Sequence, residues 1–246
     1  MENTSYIALS RQAALWRQLE AVSNNIANAN TPSFKAEKMM FADHLVKTKD
    51  SERNLGTKIA FVRDVGMVRD LRDGPMAQTN NPLDMAVHGD GYFVVDTPAG
   101  PRYTRNGHFH LDETGMLVNT SGLPIMQEGN LPIVFAPNET QISIARDGTV
   151  STENGAVGRM RVVTFDNAQE LRAAGEGTYV TNVEPKNVER PDVVQGMVEE
   201  SNVQPVVEMT NMISILRNYQ GVQKLLEAEH ERRTKAINTL GQPARA

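Results

Sequence analysis

The 246-residue chain contains no cysteine, which excludes disulfides, thiolate metal sites and cysteine nucleophiles. Basic clusters are also missing, and the densest basic pair is Arg232-Arg233. The formal net charge is -5 and the pI is about 5.6. Nucleic acids and anionic membrane surfaces bind to clustered Lys and Arg. These absences argue against both kinds of partner.

Long apolar runs are absent as well. No stretch approaches the roughly 18 consecutive apolar residues of a membrane span. The start, Met1 to Tyr6, lacks the basic head and the apolar run of a cleavable secretory signal. We therefore expect no membrane span, and a protein that is soluble or leaves the cell by a route that needs no cleaved signal.

Catalytic signatures are scarce. The sequence has no GxxxxGK[ST] phosphate loop, no GxGxxG at a helix start and no GxSxG nucleophile elbow. The best metal candidate is His108-Phe109-His110, since residues two apart on a strand share a face. The third ligand would come from His88, Asp84, Asp90 or Glu113. The alternative, which we favour, places both histidines on the solvent side of a hairpin with Phe109 in the core. We expect no enzyme, no metal and no cofactor.

The first thirty residues have the pattern of a helix that packs against another helix. Candidate seam positions alternate at spacings of four and three residues: Ala8, Gln12, Leu15, Leu19, Val22, Ile26 and Ala29. Pro32 forbids continuation because it lacks a backbone donor and disfavours helical geometry at Thr31. The pattern predicts a helix from about Thr4 to Ala29.

The end of the chain repeats this pattern from about Gln204 to Leu240, with Pro205 suited to a first turn and Gly241 to a stop. The same alternation runs through Met209, Met212, Leu216, Tyr219, Gln223, Leu226, His230, Arg233, Ile237 and Leu240. A second apolar set flanks it: Val206, Ile213, Ile215 and Val222. At about 1.5 Å per residue this helix would be roughly 50 Å long, and it requires more than one partner.

Between the helices, short β-rich runs are separated by glycine. The pairs Asp90-Gly91, Asn106-Gly107 and Asp147-Gly148 are typical of hairpins or tight turns. The runs lie at 92–96, 102–104, 108–111, 116–118, 142–145 and 159–165, and a short helical piece is expected at 168–173. Roughly seven to ten strands would fit. We expect a compact all-β domain from about Asp84 to Val183 that folds in isolation.

The predicted fold class is therefore mixed, with a central all-β domain and terminal α-helices that pair as a coiled-coil-like inner domain. The predicted boundaries are 1–31 for the N-terminal helix, 32–80 for a polar connector of irregular or extended structure, 81–183 for the β-domain, 184–203 for an extended return connector and 204–246 for the C-terminal helix.

The two terminal helices could simply pair with each other and leave no surface for a partner. Two features favour packing between subunits as well. The C-terminal helix is the longer one, so part of its apolar surface stays uncovered. Asn24, Asn25 and Asn28 replace better helix formers, and asparagine can hydrogen-bond a neighbouring chain and fix its register.

Three groups of residues resemble the flagellar rod and hook proteins of bacteria. Residues 24–31 with Phe34-Lys35 resemble the N-terminal signature of that family. Residues 81–93, continued by 103–107 and 115–119, resemble the segment that leads into its outer domain. Residues 200–203, with 205–206, 208–209, 212–213, 217–219 and 236–238, resemble its C-terminal signature. The family often has glycine directly before the Phe-Lys pair, where this chain has Pro32-Ser33.

The resemblance implies an axial structural protein that is exported through the flagellum's own secretion apparatus and assembles in the periplasm into a helical tube. The terminal helices would form an inner layer around the channel, and the β-domain an outer layer. The chain length and the start at residues 6–10 favour a proximal rod subunit. A distal rod or hook-related subunit is the alternative, and a metal-dependent enzyme that uses His108 and His110 is a remote one.

The partners expected from this resemblance are other rod subunits, further copies of the chain and the flagellar export apparatus. The residues expected at contacts between subunits are Leu15, Leu19, Val22, Asn24, Asn25, Ile26, Asn28, Met209, Met212, Leu216, Tyr219 and Leu226.

Overall fold

The computed structural model describes residues 2–47, 58–137, 139 and 141–240. The chain divides into two compact units, each assembled from segments that are far apart in sequence. The helix–hairpin unit takes Met1–Ala27, Glu37–Arg69 and Gln204–Ala246. The β unit takes Asn28–Ala36 and Asp70–Val203.

The helix–hairpin unit contains the two terminal helices predicted from the sequence. Helix α1 spans Glu2–Ala27 and helix α2 spans Pro205–Leu240. The rings of Trp16 and Tyr219 lie 6.2 Å apart, while Val22 and Ile215 line one groove. A later residue of α1 therefore lies beside an earlier residue of α2, so the two helices run antiparallel. Neither helix, as far as the structure describes them, is long and apolar enough to cross a membrane.

One hydrophobic cluster joins α1 to α2. Its buried members are Ala8, Leu15, Val22, Ile215 and Val222. Partly buried side chains pack against them, namely Leu19, Ile26, Met212, Tyr219 and Leu226. Burying one Leu, Ile or Val side chain stabilises a fold by about 1.5–3 kcal/mol, so this cluster is the main source of cohesion between the helices.

The helix–hairpin unit also contains a long β-hairpin that the sequence analysis did not predict. Strands β1 (Glu37–Lys47) and β2 (Lys58–Arg69) pair antiparallel, with Glu37 opposite Arg69. A bulge between Met40 and Phe41 shifts the register. Helix α1 contacts both strands. Part of the segment predicted as a polar connector of irregular or extended structure is therefore a paired β-hairpin.

The β unit contains fifteen strands within its described residues. They are β3 (Met76–Gln78), β4 (Met85–His88), β5 (Tyr92–Val95), β6 (Arg102–Thr104), β7 (Phe109–Leu111), β8 (Leu117–Asn119), β9 (Ser143–Ile144), β10 (Thr149–Thr152), β11 (Gly155–Arg159), β12 (Val162–Thr164), β13 (Arg172–Ala173), β14 (Thr178–Val180), β15 (Lys186–Asn187), β16 (Asp192–Gln195) and β17 (Met197–Glu199). The helical piece expected at 168–173 is only a 3-10 turn at Ala168–Glu170, because Arg172-Ala173 pair with β14 as a strand.

The strands form antiparallel sheets. A six-stranded sheet has the order β13-β14-β6-β5-β12-β15, and a three-stranded sheet has the order β11-β10-β9. Three further pairs are β16-β4, β17-β3 and β7-β8. Strands β15, β16 and β17 lie in the segment predicted as the return connector, and there β16 pairs with β4 and β17 pairs with β3.

Two hydrophobic clusters fill the β unit, and strand β5 contributes to both. The run Tyr92-Phe93-Val94-Val95 is buried throughout, as an unbroken apolar run predicts for a central strand. Phe93 and Val95 enter one cluster, which also contains Val193 of β16. Tyr92 and Val94 enter the other, an aromatic cluster with Phe165 and Tyr179. Residues beyond 183 are therefore part of this core.

Candidate functional site

Asn25 fixes the end of α1 to the start of β1. The Asn25 side chain is 1% exposed. Its Nδ2 donates to the Glu37 carbonyl at 2.9 Å, and its Oδ1 accepts from the Glu37 N–H at 2.9 Å. The amide thus satisfies both backbone groups of Glu37, as a neighbouring strand would. Asn25 was predicted to contact another subunit, and here its hydrogen bonds stay within the chain.

The other two predicted asparagines have different positions. Asn24 is exposed on α1. Asn28 lies in the turn after the helix, where its carbonyl accepts from the Thr31 N–H and its Oδ1 from the Thr31 hydroxyl. These bonds close the turn before Pro32 redirects the chain.

Ser33 occupies a backbone conformation that usually belongs to glycine. Its φ is 57°, in the left-handed region. Its N–H donates to the Glu199 carbonyl at 2.8 Å, and its hydroxyl donates to the Arg105 carbonyl at 2.7 Å. This geometry explains why glycine would suit the position, and the buried hydroxyl supplies a bond that glycine could not.

Three charged side chains meet in the interior of the β unit. Lys35, Arg105 and Glu199 are 3%, 4% and 1% exposed. Lys35 Nζ lies 2.6 Å from Glu199 Oε1, and Arg105 Nε lies 2.9 Å from Glu199 Oε2. Each carboxylate oxygen of Glu199 therefore has its own cation.

Neighbouring groups complete the pairing. Arg105 donates to Asp73 Oδ1 at 2.9 Å and to the Gly89 carbonyl at 2.8 Å. Lys35 Nζ donates to the Arg72 carbonyl at 2.8 Å. The guanidinium carbon of Arg105 also lies 5.6 Å from the centre of the Tyr92 ring. A buried charge is tolerated only when it is paired and hydrogen-bonded in this way.

Burial and charge act in opposite directions on the two cations. For Lys35, burial and the nearby Arg105 outweigh Glu199 and Asp73, so the pKa of its ammonium group is lowered from 10.5. Burial also disfavours the charged form of Arg105, but Glu199 and Asp73 together outweigh it, and the pKa of the guanidinium is raised. The same surroundings therefore disfavour the charged form of Lys35 and favour that of Arg105.

Asn202 ties the same region together through backbone groups. Its Oδ1 accepts from the Ala36 N–H at 2.7 Å. Its Nδ2 donates to the carbonyls of Asp70 and Arg72 at 2.8 and 2.9 Å. We call Ser33, Lys35, Asp73, Arg105, Glu199 and Asn202 the junction cluster. It connects the segment after α1 to the segment before α2.

Gly107 holds the loop that carries Arg105 against β4. A Cβ at this position would lie 1.5 Å from the Met85 carbonyl oxygen, so only glycine permits the approach. The Met85 N–H donates to the Gly107 carbonyl at 2.9 Å. The Asn-Gly pair read from the sequence as a turn therefore serves a close backbone contact beside the junction cluster.

None of these residues was predicted to take part in a cluster. Lys35, Arg105 and Asn202 each lie in one of the three groups that carry the family resemblance, and Glu199 directly precedes the third. The only sign of the cluster in the sequence is that each of the three groups contains a charged or amide residue. One sequence does not show that the three groups meet in the folded chain.

The structure places the predicted α1 contact residues in the seam with α2. Leu15 and Val22 are buried there, and Leu19 and Ile26 are partly buried. Met212, Tyr219 and Leu226 are their partners on α2.

Two predicted α2 residues lie elsewhere. Met209 is 52% exposed and Leu216 is 39% exposed. Ile215 and Val222 occupy the seam instead of Leu216 and Gln223. Met209 and Leu216 stay predicted contacts between subunits, since the chain itself does not cover them.

Further large apolar side chains are exposed on the helices. They are Tyr6, Leu9 and Trp16 on α1, and Val206, Val207, Ile213, Leu225 and Ile237 on α2. Exposed apolar surface of this extent on soluble proteins marks contact surfaces. Both helices therefore present apolar residues to the seam and away from it.

The metal candidate is not assembled. The described residues contain no group of three His, Cys, Asp or Glu side chains able to hold a metal ion. His108 Nδ1 lies 3.0 Å from Asp84 Oδ1, so the imidazole has a structural partner. His110 is exposed on β7, whereas Phe109 enters the core, as the favoured alternative predicted.

Long paired helices that expose apolar side chains on several sides are typical of a protein that packs against other chains. Comparison with known families agrees. Residues 6–35 match the model described as flagella basal body rod protein, residues 86–152 match the flagellar hook protein FlgE/F/G D1 domain, and residues 194–239 match the flagellar basal body rod FlgEFG protein C-terminal region. The chain belongs to the family of bacterial flagellar basal-body rod proteins.

Individual relatives support this along the whole chain. The flagellar basal-body rod protein FlgF of Caulobacter vibrioides is 37% identical over 98% of this chain and 99% of its own length. FlgF of Mesorhizobium japonicum is 34% identical over the same shares. FlgG of Buchnera aphidicola from Acyrthosiphon pisum is 34% identical over 82% of this chain and 86% of its own length. Because the family is structural, the chain is not an enzyme.

Proposed function

We propose that the chain is a proximal subunit of the flagellar basal-body rod, which polymerises through its terminal helices into a helical tube that transmits motor torque. The observation that carries the proposal is the apolar surface of α1 and α2 that the chain leaves exposed, together with the full-length match to FlgF proteins. Covering such surface with other subunits is favourable because it removes apolar area from water.

The assembly is built from heterologous contacts. One face of a subunit meets a different face of the next, and a rotation that does not close produces a helical array. In this array α1 and α2 form a coiled-coil-like inner layer around the channel, and the β unit forms the outer layer. Torque then passes through many packed helices rather than through a single site.

Partners and location follow from the same proposal. The neighbours are other rod subunits and further copies of this chain in the periplasmic part of the basal body. The flagellar export apparatus delivers the chain without removal of a signal peptide. A distal rod position is the second candidate, favoured by the match to FlgG over 82% of this chain.

Adjacent residues on α2 provide a matched test. Ile215 is 5% exposed in the seam, and Leu216 is 39% exposed beside it. Ile215→Ala should lower the free energy of unfolding by about 2–4 kcal/mol through loss of a buried side chain. Leu216→Ser should change it by less than about 0.5 kcal/mol, yet strongly reduce incorporation into rods.

The measurements are urea unfolding of the purified chain, and the amount of each variant in basal bodies isolated from the source bacterium. Truncation of Leu15, Leu19, Ile26 or Tyr219 should also prevent incorporation. Normal motility and normal incorporation of Leu216→Ser would show that this exposed surface is not an assembly contact.

A further inference from the structure

Asparagine followed directly by glycine occurs twice in the chain, at Asn106-Gly107 and at Asn154-Gly155. This pair is chemically labile, because the backbone nitrogen of the second residue can attack the side-chain amide carbon of the first. Glycine has no side chain to obstruct that approach, and its backbone rotates more freely than that of any other residue. The two pairs are equivalent in sequence, so any difference in their reactivity comes from the fold.

The reaction has two balanced steps. The glycine nitrogen loses its proton to water or hydroxide and forms a C–N bond to the asparagine Cγ, and the side-chain amide nitrogen takes up a proton and leaves as ammonia. Water then hydrolyses the cyclic imide at either carbonyl, which gives aspartate or isoaspartate. Nothing is oxidised or reduced, and water is the only co-reactant. The rate therefore depends on how easily the pair can bring its two reacting atoms together.

The fold immobilises Asn106-Gly107. Gly107 is buried, and a Cβ there would lie 1.5 Å from the Met85 carbonyl oxygen. Its carbonyl accepts from the Met85 N–H at 2.9 Å, and Met85 is 0% exposed in the core of the β unit. The Asn106 Oδ1 accepts from the His108 N–H at 3.1 Å. Rotation at this pair would break contacts with a core strand, so it requires unfolding of the β unit.

Asn154-Gly155 lies at the tip of the hairpin that joins β10 to β11. Both residues are exposed, as are Glu153 and Ala156 on either side. Within the described residues, no heavy atom lies within 4 Å of the position that a Gly155 Cβ would take. Water therefore has access to this pair, and no packed neighbour restrains it.

This tip can open without disturbing the core. Thr152 and Gly155 form the last pair of the β10-β11 ladder, and β11 is the outer strand of its sheet. A bulge between Val150 and Ser151 interrupts the ladder further along. The end of an outer hairpin opens at a much lower free energy than a core strand does. Brief opening frees the Gly155 nitrogen for attack while the rest of the fold stays closed.

We propose that Asn154 is a site of spontaneous deamidation in the folded protein, and that the fold protects Asn106 from the same reaction. The product places a carboxylate where the Asn154 Nδ2 donates to Glu139 Oε1 at 3.4 Å. The hairpin tip thereby gains a negative charge beside an existing carboxylate. Isoaspartate also adds a carbon to the backbone of the turn.

Incubation of the purified full-length chain at mildly alkaline pH tests the proposal. Peptide mapping by mass spectrometry follows the conversion of each amide to an acid, and chromatography separates the isoaspartate and aspartate peptides. In the folded chain Asn154 should convert at least about tenfold faster than Asn106, because one pair needs local opening and the other needs unfolding. In urea that unfolds the chain, the two rates should agree within about threefold, because the lasting contacts that distinguish the pairs are gone.

Comparable conversion of both pairs in the folded chain, or conversion of Asn154 only in urea, would overturn the proposal. Asn154→Gln is the matched control, because the longer side chain would have to close a larger ring that forms less readily. This variant should show no conversion at the hairpin tip and unchanged conversion of Asn106 in urea. If the tip of Asn154→Gln converts as fast as that of the unmodified chain, the change does not arise from the imide reaction and the proposal fails.

Discussion

At the scale of single residues, Glu199 is the centre of the β unit's polar interior. It accepts from Lys35 and Arg105 through different oxygens, and Oε1 also accepts from the Gly74 N–H at 2.9 Å. Removing its charge leaves two buried cations with only the partly exposed Asp73 as acidic partner. The cluster therefore stabilises the fold mainly because Glu199 balances the charge of the two buried cations.

We expect Glu199→Gln to lower the free energy of unfolding by about 3–5 kcal/mol, the range for breaking a buried ion pair. Urea unfolding, followed by the near-ultraviolet signal of the aromatic cluster, measures the change. Lys186→Met is the control, because its pair with Asp166 lies at the surface and contributes less than about 1 kcal/mol. Equal effects of the two substitutions would contradict the central role of Glu199.

The pKa of Lys35 gives a pH dependence with a definite sign. Burial lowers that pKa below 10.5, so between the two values the folded chain binds fewer protons than the unfolded chain. Stability from this group therefore rises with pH across that window, and the cost of burying the charge is fully present below it. Relative to Lys35→Met, the unmodified chain should become more stable as the pH is raised from neutral toward 10.5.

Urea unfolding of both chains in a series of buffers measures this difference, and the other titrating groups cancel in the comparison. A difference that stays constant or falls with rising pH would contradict the assignment.

The junction cluster could not have been predicted from one sequence. Lys35 and Glu199 are separated by 164 positions, and Arg105 and Glu199 by 94. Charge pairing over such distances depends on the fold, which composition and periodicity do not supply. The left-handed backbone conformation of Ser33 could not be predicted either, since serine rarely adopts positive φ.

At the scale of elements, periodicity predicted both terminal helices and the α1 side of their seam. On α1 the alternating spacing of four and three residues identified the residues that line the seam, Leu15, Leu19, Val22 and Ile26. On α2 two stripes overlap, and periodicity alone does not say which one faces α1. In the structure Ile215 and Val222 pack against α1 in the seam, and Leu216 lies outside it.

The hairpin of β1 and β2 escaped prediction because its strands carry mixed patterns. Strand β1 contains Glu37, Lys38, Asp43 and His44 among its apolar residues, so neither a clean alternation nor a buried run is visible. Strand β1 is therefore specified by its pairing with β2 and its contact with α1, and not by its local sequence pattern.

Asn25 is the element-level link between α1 and this hairpin. We expect Asn25→Ala to lower the free energy of unfolding by about 1–3 kcal/mol, because it leaves the N–H and carbonyl of Glu37 without their partner. Thermal unfolding followed by helical circular dichroism measures it. Gln220→Ala removes an exposed amide from α2 and should change stability by less than about 0.5 kcal/mol. If both variants melt alike, the Asn25 bridge is not stabilising.

At the scale of the whole molecule, the boundaries of the β unit differ from those expected of an independent domain. The span 84–183 lacks β16, which pairs with β4 and supplies Val193 to the core. It also lacks Lys35 and Glu199. Residues 184–203 were predicted to lie outside the β-domain because their valines alternate with polar residues. An exposed connector can have the same pattern.

We therefore expect the isolated span 84–183 to unfold without cooperativity, whereas residues 28–203, which contain the complete β unit, should show a cooperative urea transition. The physical reason is the exposed face of β4 and the unpaired charge of Arg105 in the shorter fragment. A sharp transition for 84–183, with the midpoint of the longer fragment, would show that neither β16 nor the cluster is needed for folding.

The junction cluster also constrains the order in which parts of the chain can fold. A chain delivered from its N-terminus presents Lys35 164 positions before the carboxylate that neutralises it. Until Glu199 arrives, the segment after α1 can bond only to earlier partners such as the Arg72 and Arg105 carbonyls, and contacts as far apart in sequence as Lys35 and Glu199 form slowly. Strand β17 therefore supplies the carboxylate of the junction cluster late, so the β unit can pair its buried cations Lys35 and Arg105 only when nearly all of its residues are present.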